Sequence, residues 1–472
     1  MGTFRPSPVV IIPSTHMLPK AVLLASLVGS GLATVGQFEQ CGGIGYTGDT
    51  VCATGFVCTI LNDFFFQCLL PGVGTSTVSS SSTSTVSSST SKSTTTTSST
   101  TTSSPPSATG FVTTSGTKFM LNGAKYTLFG SNAYWPALLG YSSTEIDQAF
   151  ADIVGSGATT VRTMGFNEVT SANGIYFHLW NGKNATVNTG ANGLGALDVL
   201  VASAKAHGIR LIIALTNNWS DFGGMDVYTS QLLGSGQPHD AFYTNPTVIA
   251  AYKTYIQAVV SRYVNEPTVM AWELANEPRC AGTNTIASAA CNTTTITTWS
   301  ADISAFIKSI DKNHLVAIGD EGFFNQPGNP DFVYQGTLGV DFAANMKIST
   351  IDFGTFHASS FPSFAMYPDS WGESANDVAW GSQWINDHAA IMTSQNKPVI
   401  MEEYGLTSST RNTTYATWYS TVLSSGLTGD LIWQAGSVFA NGPTPSDGYS
   451  IYPTDPVYAL MKSHAAALKA RG

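Results

Sequence analysis

The stretch VMAWELANEP, residues 269–278, runs apolar from Val269 and ends in Asn276, Glu277 and Pro278. A second run, PVIMEEYG at 398–405, reaches Glu402 and Glu403 before Tyr404 and Gly405. Apolar runs that finish in a carboxylate suit parallel barrel strands, which are buried along their length and carry chemistry at their carboxyl ends. Working outward, six more β-rich runs fall at 127–134, 159–166, 210–219, 315–323, 352–357 and 429–434. Helical patterns lie between them, for example at 194–207, 246–263, 296–311 and 376–394. Eight strands alternating with helices over residues 110–472 predict an α/β fold, a (β/α)8 TIM barrel. The competing doubly wound sheet would bring a Gly-rich phosphate turn after an early strand, and this region contains no G-x-G-x-x-G.

The 472 residues exceed one ordinary domain. A net charge of -10, with no cluster of Lys and Arg, argues against nucleic acid as a partner. Charged residues make up 11% and aromatics 11%, including 10 Trp and 18 Tyr, which suits a neutral, hydroxyl-rich partner that is stacked upon. Carbohydrate fits. Residues 17–36 read as the core of a secretory signal within a leader spanning 1–36, with Met17 a credible start and cleavage near Ala33 or Gly36. The apolar core is short for a bilayer span, so no membrane partner is expected. Secretion makes disulfides of the six cysteines and makes the sequons at Asn184, Asn218, Asn292 and Asn412 usable where exposed.

Four cysteines, Cys41, Cys52, Cys58 and Cys68, crowd into residues 37–70. A unit this short needs bridges to fold, and spacing alone leaves three pairings open. Residues 71–109 are almost wholly Ser and Thr and end in prolines, the composition of a disordered, O-glycosylated linker. Residues 110–472 carry the predicted barrel.

The strand ends of that region offer Arg162, Asn217 with Trp219, Asn276 with Glu277, Glu321, His357, Glu403 and Trp433. Three acids, an arginine, a histidine, amides and tryptophans make a sugar-cleaving set that implies no cofactor. Cleavage needs one protonated carboxyl to donate to the leaving oxygen and one carboxylate to attack the anomeric carbon. Glu277 suits the acid, because Asn276 beside it can bond the sugar's 2-hydroxyl; Glu403 suits the nucleophile, with Arg162 to hold it ionised. Neighbours on a strand face opposite ways, so only one of Glu402 and Glu403 is expected in the mouth, and the spacing to Gly405 favours Glu403. Glu273 reads as a buried structural carboxylate. No Cys–His set has zinc spacing and no H-E-x-x-H occurs, so no metal is expected. Cys280 and Cys291 are expected to bridge and steady the loop after strand four.

Residues 37–69, with the run CGGIGYTG and its cysteine spacing, resemble a fungal family 1 carbohydrate-binding module. The resemblance implies bridges Cys41–Cys58 and Cys52–Cys68. It also implies a flat cellulose-binding face of Phe38, Phe64 and Phe65 aided by Asn62 and Gln67, with Phe where the family usually has Tyr or Trp. Residues 110–472 resemble the fungal endo-β-1,4-mannanases of glycoside hydrolase family 5. The resemblance rests on GSNAYW (130–135), VRT (161–163), TNNWSDFGG (216–224), LANEPRC (274–280), GDEGF (319–323), FGTFH (353–357), YPDSWG (367–372), EEYG (402–405) and IWQ (432–434).

That second resemblance implies a secreted, endo-acting, retaining hydrolase of internal β-1,4-mannosidic bonds in mannan, galactomannan and glucomannan. It makes Glu277 the acid/base and Glu403 the nucleophile. Arg162, Asn276, His357, Tyr367 and Trp433 would surround the sugar, and Arg279 would contact an aglycone-side mannose. Glu321 and Trp371 would shape the mannose subsites, with Trp135 and Trp219 as stacking platforms. The family's His-x-Tyr is interrupted here by about eight extra residues between His357 and Tyr367. A monomer acting on a mannan-type polysaccharide and held to cellulose by its module is the expectation. A family 5 β-1,4-glucanase, or an impaired cell-wall-binding protein, is the alternative.

Overall fold

The computed structural model describes residues 35, 40–42, 49–62, 65–69, 110–359 and 377–471. The leader apart from Val35, the linker, Phe38, Phe64, Tyr367 and Trp371 therefore lie outside the described residues, as do the side chains of Asn62, Phe65 and Gln67. The chain divides into a unit of residues 1–94 and one of residues 95–472.

In the first unit, strands Gln40–Gly42, Val57–Asn62 and Phe65–Leu69 form an antiparallel sheet with the last in the middle. Cys41 bonds Cys58 and Cys52 bonds Cys68, with Cα–Cα distances of 5.8 and 5.6 Å, the pairing that the resemblance implied. Val35, Cys41 and Cys68 are its buried apolar residues among those described, too few to hold a fold without covalent help. The Val35 N–H donates to the Val51 carbonyl and its own carbonyl accepts from Ala53, both at 2.8 Å.

The second unit is built on eight parallel strands: β1 Leu128–Asn132, β2 Thr160–Met164, β3 Arg210–Ala214, β4 Val269–Glu273, β5 Leu315–Ala317, β6 Gly354–Ser359, β7 Val399–Gly405 and β8 Gly429–Ile432. Their order, β5-β4-β3-β2-β1-β8-β7-β6, is that of a barrel. Between the ends, Asp352 N–H donates to Val316 O at 2.8 Å and His357 N–H to Glu321 O at 3.2 Å, which brings β6 back to β5. Every residue of β1–β5, β7 and β8 is buried, because helices cover the outside and side chains fill the inside.

The helices that alternate with these strands are α1 Ser143–Gly155, α2 Leu194–Ala206, α3 Pro246–Tyr263, α4 Thr293–Ile310, α5 Phe342–Asn345, α6 Asp377–Gln395, α7 Arg411–Ser425 and α8 Pro456–Ala470, and two further helices, Met225–Leu233 and Ala241–Thr244, lie between β3 and α3. Their starts are written locally: Ser142 and Glu145 make a capping box before α1, and Asn245 and Asp455 cap α3 and α8 ahead of a proline. The sequon residue Asn292 caps α4. Between β5 and β6 the helix shrinks to the four residues of α5. An antiparallel sheet of Val112–Ser115, Lys118–Leu121 and Ala124–Tyr126 puts Val112 and Phe119 against Leu128, Ile212, Met270, Leu315 and Leu431, closing the amino-terminal end of the barrel interior.

All eight expected strands and the four named helices are present. The expected runs 210–219, 269–277 and 315–323 overshoot, since the strands stop at Ala214, Glu273 and Ala317. Buried Leu215, Leu274, Ala275 and Ile318 prolong the apolar pattern after the chain has left the regular ladder. Cys280 bonds Cys291 as expected. Asn184 and Asn412 are exposed, whereas Asn218 is buried and donates to Ala281 O at 3.0 Å, leaving a glycan no room there. Among the described residues no helix is long and apolar enough to cross a membrane.

Candidate active site

Arg162 rises from the middle of β2 with no exposed surface and organises the carboxyl end of the barrel. Its Nε donates to Glu273 Oε2 at 2.8 Å, Nη2 to Asn276 Oδ1 at 2.8 Å, and Nη1 to Asn132 Oδ1 at 3.2 Å and to Glu403 Oε1. Burial works against its charge, but Glu273, Glu402 and Glu403 outweigh that and keep it firmly protonated. Asn276 passes the network on, donating to Asn217 Oδ1 at 3.0 Å.

Glu277 sits just past β4 at φ +52°, a left-handed conformation that costs a non-glycine residue about 1 kcal/mol or more. Its N–H donates to the carbonyl of Gly319 at 2.8 Å. Gly319 must itself be glycine, at φ +81°, since a Cβ there would lie 2.1 Å from Ala275 O. The strained turn stops the chain from continuing along the strand and leaves the carboxylate among the groups of the mouth. Trp219 Nε1 donates to Glu277 Oε2 at 2.5 Å, and His357 Nδ1 lies 2.8 Å from Oε1.

An oxygen of Glu277, a nitrogen of His357 and an oxygen of Glu403 all fall within 4.8 Å of one another. With Glu402 Oε2 at 3.3 Å from its Nε2, the His357 ring is flanked by carboxylates on both nitrogens, an arrangement in which an imidazolium donates from both. Burial opposes an imidazolium, yet Glu403, Glu277 and Glu402 raise its pKa well above the usual value. Burial pushes Glu277 up, but the hydrogen bond and charge of His357, with Arg279 and Trp219, outweigh it and hold the carboxyl at about 2. Burial also raises Glu403, helped by Glu277 and Glu402 and resisted by His357 and Arg162, to about 6. A metal at this trio would have to displace a proton from an imidazole already committed on both sides.

Glu402 is the first correction to the sequence reading. It was expected to face away from Glu403, yet both side chains reach Arg162 and His357. The ladder explains it: Phe356 pairs with Met401 and His357 with Glu403, so Glu402 is the extra residue of a β-bulge, where alternation fails. Met401 and Tyr404 pack outward in the core shared with the helices, and the two glutamates between them turn inward.

Trp135 is the second correction. It is fully buried, donates from Nε1 to Ala435 O at 3.1 Å and packs edge-on against Tyr141 and Phe439, so it offers no stacking face. The residue beside it, Tyr134, lies nearly parallel to Trp433 with centroids 6.0 Å apart. Trp433 is half-buried, and its Nε1 donates to Asp447 Oδ2 at 2.7 Å. Arg279 forms a two-point ion pair with Glu321 and lies 5.0 Å from the Trp219 ring centroid and 5.1 Å from that of Phe323. Burial raises Glu321 to about 7 even against the Arg279 charge.

With this geometry in place, comparison with known proteins is decisive. Residues 123–438 match the family described as Cellulase (glycosyl hydrolase family 5). The chain belongs to glycosyl hydrolase family 5. Ahead of the family 5 barrel, residues 37–65 match the fungal cellulose binding domain. A protein named probable mannan endo-1,4-beta-mannosidase F, from Emericella nidulans, is 41% identical over 461 residues, covering 96% of this chain and 100% of its own. Mannan endo-1,4-beta-mannosidase A of Hypocrea jecorina is 40% identical over 76% of this chain and 78% of its own. Among solved structures, the endo-1,4-beta-mannanase of Rhizomucor miehei superposes with a TM-score of 0.69 at 39% identity, covering 76% of this chain and all of that one.

The carboxyl end of the barrel thus links Arg162, Asn217, Trp219, Asn276, Glu277, His357 and Glu403 in one network, with the Arg279–Glu321 pair against Trp219 and Trp433 beside Tyr134. Tyr134, Asn132 and Asp447 were not singled out from sequence. Tyr134 and Asn132 end a strand, and reading the end of β1 as the others were read would have found them. Asp447 has no strand pattern to mark it.

Proposed function

We propose that the protein is a secreted, retaining endo-β-1,4-mannanase, with Glu403 as nucleophile and Glu277 as general acid and base. The observation that carries this reading is the approach of Glu277 and Glu403 within 4.8 Å at the barrel mouth. Retaining glycosidases hold their carboxyl groups about 5–5.5 Å apart, close enough for direct attack on the anomeric carbon. Glu403 bonds to that carbon while Glu277 protonates the departing oxygen; Glu277 then takes a proton from the water that releases the sugar.

In the free enzyme the proton needed on Glu277 resides on His357. A polysaccharide filling the cleft removes water, and dehydration penalises the Glu277–His357 ion pair more than its neutral form. The proton then moves from Nδ1 to Oε1, and Glu277 becomes the acid. Arg162 holds Glu403 and Asn276 in place, Asn276 with Asn217 meets the 2-hydroxyl, and Trp433 with Tyr134 forms a rim for the sugar rings. Trp219, Arg279 and Glu321 line the aglycone side; the subsite roles that the resemblance implies for Tyr367 and Trp371 fall outside the described residues.

Residues 37–70 would hold the protein to cellulose through Phe38, Phe64, Phe65, Asn62 and Gln67. The linker 71–109 would let the 110–472 domain search nearby mannan at raised effective concentration. Cleavage of the leader after Ala33 keeps the Val35 pairing with the module, whereas a mature end at Gln37 would lose it. A monomer suffices, since the proposed groups all come from one chain.

The deciding experiment is digestion of linear mannan and, separately, of cellulose. Rapid viscosity loss and a ladder of mannooligosaccharides are expected. Faster release from cellulose would make the protein a glucanase, and no release from either would make it a binding protein.

The His357 imidazolium, 3.9 Å from Glu403 Oε2, favours the ionised nucleophile. His357→Asn removes that charge, so the Glu403 pKa rises. The acid limb of kcat/KM should therefore move to higher pH by about one unit or more, besides an overall loss of rate. An unmoved limb would separate His357 from the ionisation of Glu403.

A further inference from the structure

Beneath Arg162 and His357 lie two acids that the proposed reaction does not use, Glu273 on β4 and Glu402 in the bulge of β7. Neither has any exposed surface. Glu273 Oε2 accepts from Arg162 Nε at 2.8 Å. Glu402 Oε2 lies 3.3 Å from His357 Nε2 and 3.5 Å from Arg162 Nε. The other oxygen of each, Glu273 Oε1 and Glu402 Oε1, is buried without a donor. Two orphan acceptors on neighbouring acids are costly, and one proton between them satisfies both.

We propose that Glu273 is a neutral carboxylic acid whose Oε1 hydroxyl donates to Oε1 of Glu402, fixing Glu402 as the anionic acceptor behind His357. The charge balance agrees. If Glu273 were ionised, it would join Glu277, Glu402 and Glu403 as four buried negative charges facing Arg162 and His357, with Arg279, which also acts on Glu277, already paired with Glu321. Burial and the Glu402 charge and hydrogen bond push the Glu273 carboxyl well up, whereas Arg162, the Glu273 hydrogen bond and His357 carry Glu402 below its usual value against burial. Glu273 and Glu402 are thus positioning residues. The proton on Glu273 lets Glu402 keep one full charge on His357 Nε2, which in turn sets the proton that Nδ1 shares with Glu277.

The assignment makes two isosteric substitutions unequal. Glu273→Gln keeps both hydrogen bonds of the neutral acid, with its amide N–H donating to Glu402 and its carbonyl accepting from Arg162. Glu402→Gln removes the charge and sets an amide among donors. On linear mannan, Glu273→Gln should lower kcat no more than about threefold, and Glu402→Gln about 100-fold or more, with KM little changed in both. The reverse order, equal losses, or failure of Glu273→Gln to fold would overturn the proposal, because the amide copies the proposed state at the same volume.

The rate comparison rests on the mannanase reading above, and an infrared measurement does not. The difference spectrum of wild type minus Glu273→Gln at neutral pH should show a protonated-carboxyl C=O band. Its absence refutes the neutral acid whatever the protein hydrolyses.

Discussion

Glu403→Gln is expected to lower kcat on linear mannan on the order of 10^4-fold, with KM nearly unchanged. The amide keeps the volume and can still accept from Arg162, but it cannot form the covalent bond to the anomeric carbon. Arg162 and Asn276 remain tied to Asn132 and Asn217, so the sugar should still bind. Two measurements check this: steady-state kinetics on the variant, and proton NMR of the first product from the wild type, which should show the β-anomer before mutarotation. Residual activity above about one per cent, or an α-anomer first, would remove Glu403 from the nucleophile's place.

Glu277→Gln should cost about 10^3-fold on the same polysaccharide, within the range that general acid–base groups supply. Its signature is dependence on the leaving group. An aryl mannoside whose leaving group departs without protonation should still acylate Glu403 at a near-normal rate. Without a base to activate water, the glycosyl intermediate should then persist. A burst of aryl alcohol equal to the enzyme concentration, followed by slow turnover, is expected. Equal losses on both substrates with no burst would place the acid elsewhere, with Glu321, raised to about 7, the first residue to try.

Much of this site was legible because a barrel converts a local pattern into a location. A run that is buried along its whole length and ends in polar residues reports a strand and, at its end, the mouth of the barrel. Arg162, Asn276, Glu277, His357 and Glu403 were found in that way. The method failed where the pattern is not local. Trp135 has the composition of a stacking platform, yet its ring points into the layer shared with Tyr141 and Phe439, and Tyr134 takes the rim beside Trp433. Glu402 was set aside by the alternation of a regular strand, and the bulge opposite Phe356 and His357 is a property of two strands paired.

The alternation of strands and helices, the capped helices and the carboxylates at strand ends follow from the amino-acid sequence by itself, and the pairing of the small module's cysteines follows once its family resemblance is recognised. Each depends on burial, turn chemistry or cysteine pairing within a short span or within a recognised pattern. Which carboxylate meets which neighbour was decided only by the tertiary structure. Glu277 meets His357 across 80 positions, Arg162 meets Glu273 across 111, and Glu403 meets Arg162 across 241. Charges that close, out of water, govern one another's ionisation more strongly than any residue's own chemistry, and nothing in the linear order records which of them the closed barrel brings together.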